Sequence, residues 1–152
     1  MIRRATSKDA AAIARLFHET VKKINSRDYS ETQVSAWAGL APDPVKWSAR
    51  QSSRLTFVEE EGGIIRGFAE LADEGHVGAL YVHVEHQSKG IASALLQQME
   101  EEAIARGADY LWTEASITAK PFFAKHGFEV IAAQKVEYQG AVFRNYRMQK
   151  KI

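Results

Sequence analysis

The chain has 152 residues, is 45% hydrophobic and 26% charged, and carries 20 basic against 19 acidic residues, for a net charge of +1. These values describe one ordinary globular domain over residues 1–152, without the basic excess that a nucleic-acid binder needs. There is no cysteine, which excludes disulfides, thiolate nucleophiles and zinc–thiolate sites and makes a reducing cytoplasm the expected compartment.

The opening stretch, MIRRATSKDAAAIARLF, is charged at once. It has no apolar run long enough for a signal or a membrane span, so no membrane partner is expected. Ile2 to Ala5 reads as a short edge strand. Thr6 or Ser7 can cap a helix whose one face is Ile13, Leu16, Phe17 and Val21, and whose pattern fades near Asn25. YSETQVSAWAG reads as a second, shorter helix. Ser30 and Gln33 fit a capping box at its start, and Gly39 is its stop. LAPDPVKW is irregular, with Trp47 and Arg50 in one more helical turn.

The period then changes. Leu55 to Glu59 and Ile64 to Leu71 are strands joined by the turn EEGG, a hairpin. ADEG turns the chain into a strand from His76 to Val84. A helix follows Gly90 and runs to about Arg106, with Gly107 as its stop. Tyr110 to Thr113 is a short apolar strand. ITAKPFFAKHGF is a short helix with Pro121 near its start and Gly127 at its end. Phe128 to Tyr138 and Val142 to Met148 are the last strands, turned by Gln139 and Gly140. Strands and helices interleave without a repeat, so the fold class is α+β.

The stretch YVHVEHQSKGIASALL passes from strand to helix through a polar turn with one glycine. A helix start leaves backbone N–H groups unpaired and carries partial positive charge. Small residues at Gly90 and Ala92 let an anion approach those groups, Lys89 adds charge, and Ser93 adds a hydroxyl. A plain strand-to-helix turn would read the same way. The run is neither a P-loop nor a dinucleotide fingerprint, because the further glycines are missing.

Gln87-x-x-Gly90-x-Ala92 after the strand LYVHV resembles the acetyl-CoA signature of the GNAT superfamily of N-acetyltransferases. GHVGALYV is similar to that family's fourth strand, and KPFFAKHGF to its late helix. YSETQVSAWA, TEASITAKPFFAKHGF and the tail Val136-x-x-x-Gly140 with Asn145-x-x-Met148 resemble the YafP-type branch. The resemblance implies a splayed, mixed β-sheet of about six to seven strands between helices, a three-layer α/β/α arrangement. It implies acetyl-CoA as the acetyl donor, bound where the fourth and fifth strands part, and no metal.

Carried over residue by residue, backbone groups of Leu80, Tyr81, Val82 and Val84 would meet the thioester and pantetheine. Those of Gln87, Ser88, Lys89, Gly90, Ile91, Ala92 and Ser93 would hold the pyrophosphate. Phe122 and Phe123 would touch the pantetheine arm or belong to the core. The acceptor, an amine of a small molecule or peptide, would enter under the first two helices, near Tyr29 and Trp37. Trp37, Trp47 and Phe17 line an acceptor pocket or belong to the core, and a helical face favours the core. The resemblance leaves the assembly open between monomer and homodimer.

Three positions depart from the family's pattern. Phe123 stands where relatives carry the tyrosine that protonates the leaving thiolate, Gly78 where some carry an acidic base, and Ser116 where an asparagine is usual. Ser116 is a candidate for bonding the cofactor or a water. Glu114, at the mouth of the splay, is the favoured base, with Glu70 and His76 next. Each has a plainer reading: Glu114 as a buried, paired carboxylate, and Glu70 and His76 as solvated residues beside a turn. His83 and His86, with His76, suggest a metal site, but they lie on a strand and turn, only Glu85 could complete a ligand set, and no chemistry here needs a metal. Three functions are compatible with these residues: amine acetylation, acetyl-CoA binding or sensing without turnover, and binding of another phosphate ligand.

Overall fold

The computed structural model describes residues 1–152. The first strand, β1 (Ile2–Arg4), leads through a tight turn into helix α1 (Ala10–Lys23). Asp9 closes that turn, accepting from the Thr6 N–H at 2.7 Å. Ile13, Leu16, Phe17 and Val21 are buried along one face of α1, as their spacing predicts. Helix α2 (Glu31–Ala38) has the expected capping box: the Gln33 N–H donates to Ser30 Oγ and the Ser30 N–H to Gln33 Oε1. Gly39 stops it at φ 77°.

Helix α3 (Pro44–Ser53) is a full helix rather than a single turn. Asp43 caps it, accepting from the Lys46 N–H at 3.1 Å, and Pro44 takes a first-turn position that needs no N–H.

Strands β2 (Leu55–Glu61), β3 (Ile64–Ala72) and β4 (His76–Val82) form an antiparallel meander. The fourth strand ends at Val82, two residues earlier than the alternation suggests, and Val84–His86 is a helical turn. Helix α4 (Ile91–Ala105) follows, with Ile91, Leu95, Leu96, Met99 and Ala103 buried. Strand β5 (Tyr110–Ser116) reaches beyond Thr113. Helix α5 (Lys120–Lys125) and the hairpin of β6 (Glu129–Tyr138) and β7 (Ala141–Lys151) complete the chain.

The seven strands form one sheet in the order β1-β2-β3-β4-β5-β7-β6. Every pairing is antiparallel except β4 with β5. Those two parallel strands share a single register pair, His76 with Trp112, and then part. A sheet that opens there leaves the β5-facing edge of the later β4 residues without a partner, while β3 pairs their other edge.

Two apolar clusters cover the two faces. One packs α4 and α5 on the sheet through Leu95, Met99, Leu111, Phe123 and Met148. The other packs α1, α2 and α3 through Ile13, Phe17, Trp47, Phe68 and Phe143. The result is three layers, with the splay of β4 and β5 opening between them.

Candidate active site

A cavity of about 480 Å³ fills the splay and reaches the face of the sheet covered by α1 and α2. That size suits a small-molecule site, typically roughly 300–1,000 Å³. Leu80, Tyr81 and Val82 line it from β4, Glu114 and Ser116 from β5, and Phe122 and Phe123 from α5. Gln87 and Ala92 close its α4 end, and Tyr29 and Trp37 its far wall. Most of the residues singled out in the sequence therefore meet in one place.

The turn before α4 has the properties of an anion cradle. No backbone N–H from Gln87 through Ser93 donates to a protein acceptor. Ser88 and Gly90 both take positive φ, 62° and 79°, which turns successive N–H groups toward one side. A side chain at Gly90 would meet nothing within 4 Å, so the space above the turn is open. The Gln87 side chain donates to the Val82 carbonyl at 2.6 Å and ties the turn to the end of β4. Ile91 sends its side chain into the core and keeps only its N–H at the turn. Ser93 Oγ lies 2.9 Å from His126 Nε2, which fastens α4 to α5. Lys89 is exposed. Val84, outside the strand, does not line the cavity.

These features fit an acyl-coenzyme A: a cradle of free N–H donors for its phosphates, an unpaired strand edge, and an apolar slot for a slim arm. The aromatic pair in that slot is fixed. Phe123 is buried and meets Phe128 and Phe122 edge-on at 5.0 and 5.3 Å.

Glu114 projects from the sheet face opposite the buried Thr113 and Ala115 and is exposed, not buried. It accepts from Gln134 Nε2 at 3.3 Å, and the same amide donates to Asn145 Oδ1 at 3.0 Å. Ser116 Oγ accepts from the Ala119 N–H at 3.0 Å, leaving its own O–H free to donate. Asn145 pairs with Ser116 across β5 and β7 and also lines the cavity. Nothing in its spacing marked it as more than part of the tail pattern.

Glu70 differs from expectation. It is 0% exposed rather than solvated at a rim, because Arg50 and Arg54 cover its carboxylate. Arg50 grips it with two bonds, Nε to Oε2 at 2.8 Å and Nη2 to Oε1 at 2.6 Å. Arg54 Nε adds a third contact at 3.3 Å. Both oxygens are engaged by guanidinium donors, so the carboxylate is committed to this ion pair and does not line the cavity. Gly78 lies against this carboxylate: a Cβ there would stand 2.6 Å from Glu70 Oε1.

Arg50 lines the cavity, although the sequence places it only on a helical turn and assigns it no role in the site. The signal was present, since Asp43 followed by Pro44 is a helix start, and a longer α3 would have carried Arg50 inward. His76 stacks on Trp112 at 3.9 Å, and burial holds its imidazole below the usual range. It does not line the cavity.

Tyr29 spends its hydroxyl on structure. It donates to the Arg144 carbonyl and accepts from the Ile117 N–H, both at 2.8 Å. Its ring meets Trp37 edge-on at 5.2 Å. Burial pushes the Tyr81 hydroxyl well above its ordinary range. His83, Glu85 and His86 do gather at the surface. His83 Nδ1, however, accepts from the Glu85 N–H at 3.1 Å, and its Nε2 faces Glu19 at 3.4 Å, so that ring has no spare lone pair.

Comparison with known proteins agrees with this geometry. Residues 25–150 match the family model described as the acetyltransferase (GNAT) domain. The chain is 33% identical over 143 residues to the protein described as the uncharacterized N-acetyltransferase YafP of Escherichia coli strain K12, covering 94% of this chain and 90% of that one. A solved GCN5-related N-acetyltransferase from Rhodopseudomonas palustris superposes with a TM-score of 0.96 at 35% identity, over 100% of this chain and 95% of that one. The PaiA N-acetyltransferase of Thermoplasma acidophilum, solved in complex with coenzyme A, superposes with a TM-score of 0.81. It covers 100% of this chain and 98% of that one, and at 21% identity the likeness is one of fold.

Proposed function

The chain belongs to the GNAT acetyltransferase family, and on that premise we propose that it moves acetyl directly from acetyl-CoA to an amine of a small molecule or peptide. Acetyl-CoA-dependent acyl transfer is the family's chemistry. The nature of the acceptor, the residues below and a cytoplasmic setting are our reading. No helix is long and apolar enough to cross a membrane.

One observation carries it. A single cavity runs from the open edge of β4, with Gln87 and Ala92 of the turn before α4 at its border, to an aromatic wall and the exposed carboxylate of Glu114. Donor and acceptor can therefore meet without a carrier residue, and the chain has no cysteine to act as one. When bound, the donor supplies a thioester activated for acyl transfer. The N–H groups around Gly90 hold its phosphates, and the β4 edge from Leu80 to Val82 orients its arm.

A primary ammonium has a pKa of roughly 10, so it must lose a proton before it can attack. Glu114, exposed to the cavity, takes that proton directly or through water. The C–N bond forms as the C–S bond breaks. The nitrogen sheds its second proton and the departing sulfur gains one, relayed through the Ser116 hydroxyl or water, since Phe123 has none to give.

The test is an amine panel followed by release of free thiol, with the acetylated product identified by mass spectrometry. Thiol release coupled to N-acetyl product supports the reading. A protein that binds coenzyme A yet transfers to no amine would be a sensor instead.

A further inference from the structure

We propose that the acceptor is an α-amino acid or a close analogue, with a carboxylate on the carbon that bears the amine or on the next one, and that Arg50 reads this carboxylate. The inference rests on the amine-acceptor reading and narrows it.

The first support is position. Arg50 lines the cavity together with Gly78, Ala79 and Leu80, where β4 parts from β5. A Cβ at Gly78 would lie 3.6 Å from Arg50 Nη2, so the guanidinium sits almost on the strand. An anion held there is held close to the site of transfer. That limits it to a group adjacent to the reacting nitrogen, not one at the far end of a long acceptor.

The second support is unused capacity. Arg50 directs Nε and Nη2 at Glu70. Its Nη1 donates to no protein acceptor, and the side chain is 28% exposed. Arg54 shares the same carboxylate, so two guanidinium groups surround one buried negative charge. The local surplus is positive. The Arg50 guanidinium also lies over the Trp47 ring, 5.0 Å from its centroid, which fixes its plane. A pre-oriented guanidinium with free N–H groups is well suited to a carboxylate.

The third support is the rest of the cavity. Glu114 supplies a negative group for the ammonium. Tyr29, Trp37, Tyr81 and Phe143 supply an aromatic wall. An amino acid with an apolar side chain satisfies all three: carboxylate to Arg50, ammonium toward Glu114, side chain on the rings. The carboxylate takes no part in bond making.

The experiment compares L-phenylalanine and L-leucine with their carboxamides as acceptors, by kcat/KM at saturating acetyl-CoA. An amino-acid amide has the less basic nitrogen and more of it is nucleophilic at neutral pH, so chemistry alone favours the amide. A charge-assisted pair should reverse this and favour the acids by about 10- to 100-fold. Removing Arg50 alone would strand Glu70, so the variant is the pair Arg50→Gln with Glu70→Gln, with folding checked by circular dichroism. There the acid-to-amide ratio should fall to near one, whatever the absolute rates.

Amides preferred by the wild type, or a ratio unchanged in the paired variant, would overturn the inference. If neither series is acetylated although coenzyme A binds, the amino-acid acceptor is overturned, and the transfer reading itself fails only if no amine of the panel is acetylated. Thermal shifts of the coenzyme A-loaded protein then decide the anion site separately. A larger shift with phenylalanine than with phenylalaninamide upholds it, and equal shifts or none refute it.

Discussion

Replacing Gly78 with alanine adds one methyl group at the most crowded point of the site. The backbone there needs no left-handed conformation, so the cost is purely steric. The methyl would stand 2.6 Å from Glu70 Oε1, well inside van der Waals contact. A flexible carboxylate at a surface would swing aside at little cost. This one is 0% exposed and pinned by two bonds from Arg50 and a contact from Arg54. Relief requires bending the Arg50 pair or moving β3 against β4. Overpacking of this kind costs about 1–3 kcal/mol. For a domain of this size that lowers Tm by roughly 2–12 °C. Urea unfolding followed by circular dichroism measures it directly. A double-mutant cycle with Glu70→Ala should show favourable coupling, because the shorter side chain removes the clash. Gly78→Ala with wild-type stability would show that Glu70 is not fixed where the structure places it, and the steric reasoning would fail.

Other substitutions address the remaining parts of the site. Gly90→Glu places bulk and negative charge on the free N–H groups before α4, and calorimetry should show coenzyme A affinity lower by at least about tenfold. Gly90→Asn, which tolerates positive φ, controls for backbone strain, and unchanged affinity in a folded Gly90→Glu would move the phosphate site elsewhere. Glu114→Gln keeps the size and the contact with Gln134. It should lower turnover far more than acetyl-CoA affinity, with a deficit that shrinks as pH rises and the amine deprotonates unaided; wild-type turnover across that range would remove Glu114 as the base. Phe123→Tyr should keep or raise turnover with coenzyme A binding intact, and a loss of turnover would assign Phe123 to packing or to the acceptor.

The parts of the fold set by local chemistry were legible from the residues. The Ser30 and Gln33 capping box, the glycine stops and the switch from period two to helical spacing at Gly90 all specify their elements locally. The cradle was legible for the same reason, since a helix start after small residues leaves its N–H groups free whatever surrounds it. Longer-range facts were not. Glu70 reads as a rim residue because an acidic side chain near a strand end is usually solvated. Its burial depends on Arg50, which is twenty positions away and lies on a helix whose Asp43–Pro44 start was passed over as irregular chain. The extension of β5 to Ser116 depends on pairing with β7, which no local pattern announces. Glu114 is exposed because its neighbours Thr113 and Ala115 take the buried face, a choice fixed by α4 and α5 on the other side.

Direct transfer in one cavity makes a kinetic commitment that a single data set can test. Initial rates should be measured across a matrix of acetyl-CoA and an accepted amine, with the N-acetyl product quantified alongside free thiol. If both molecules occupy the splay of β4 and β5 together, the double-reciprocal lines intersect and product matches thiol mole for mole. Parallel lines would mean that acetyl first moves to a group on the protein, and thiol without N-acetyl product would mean hydrolysis. Either result contradicts direct transfer to an amine.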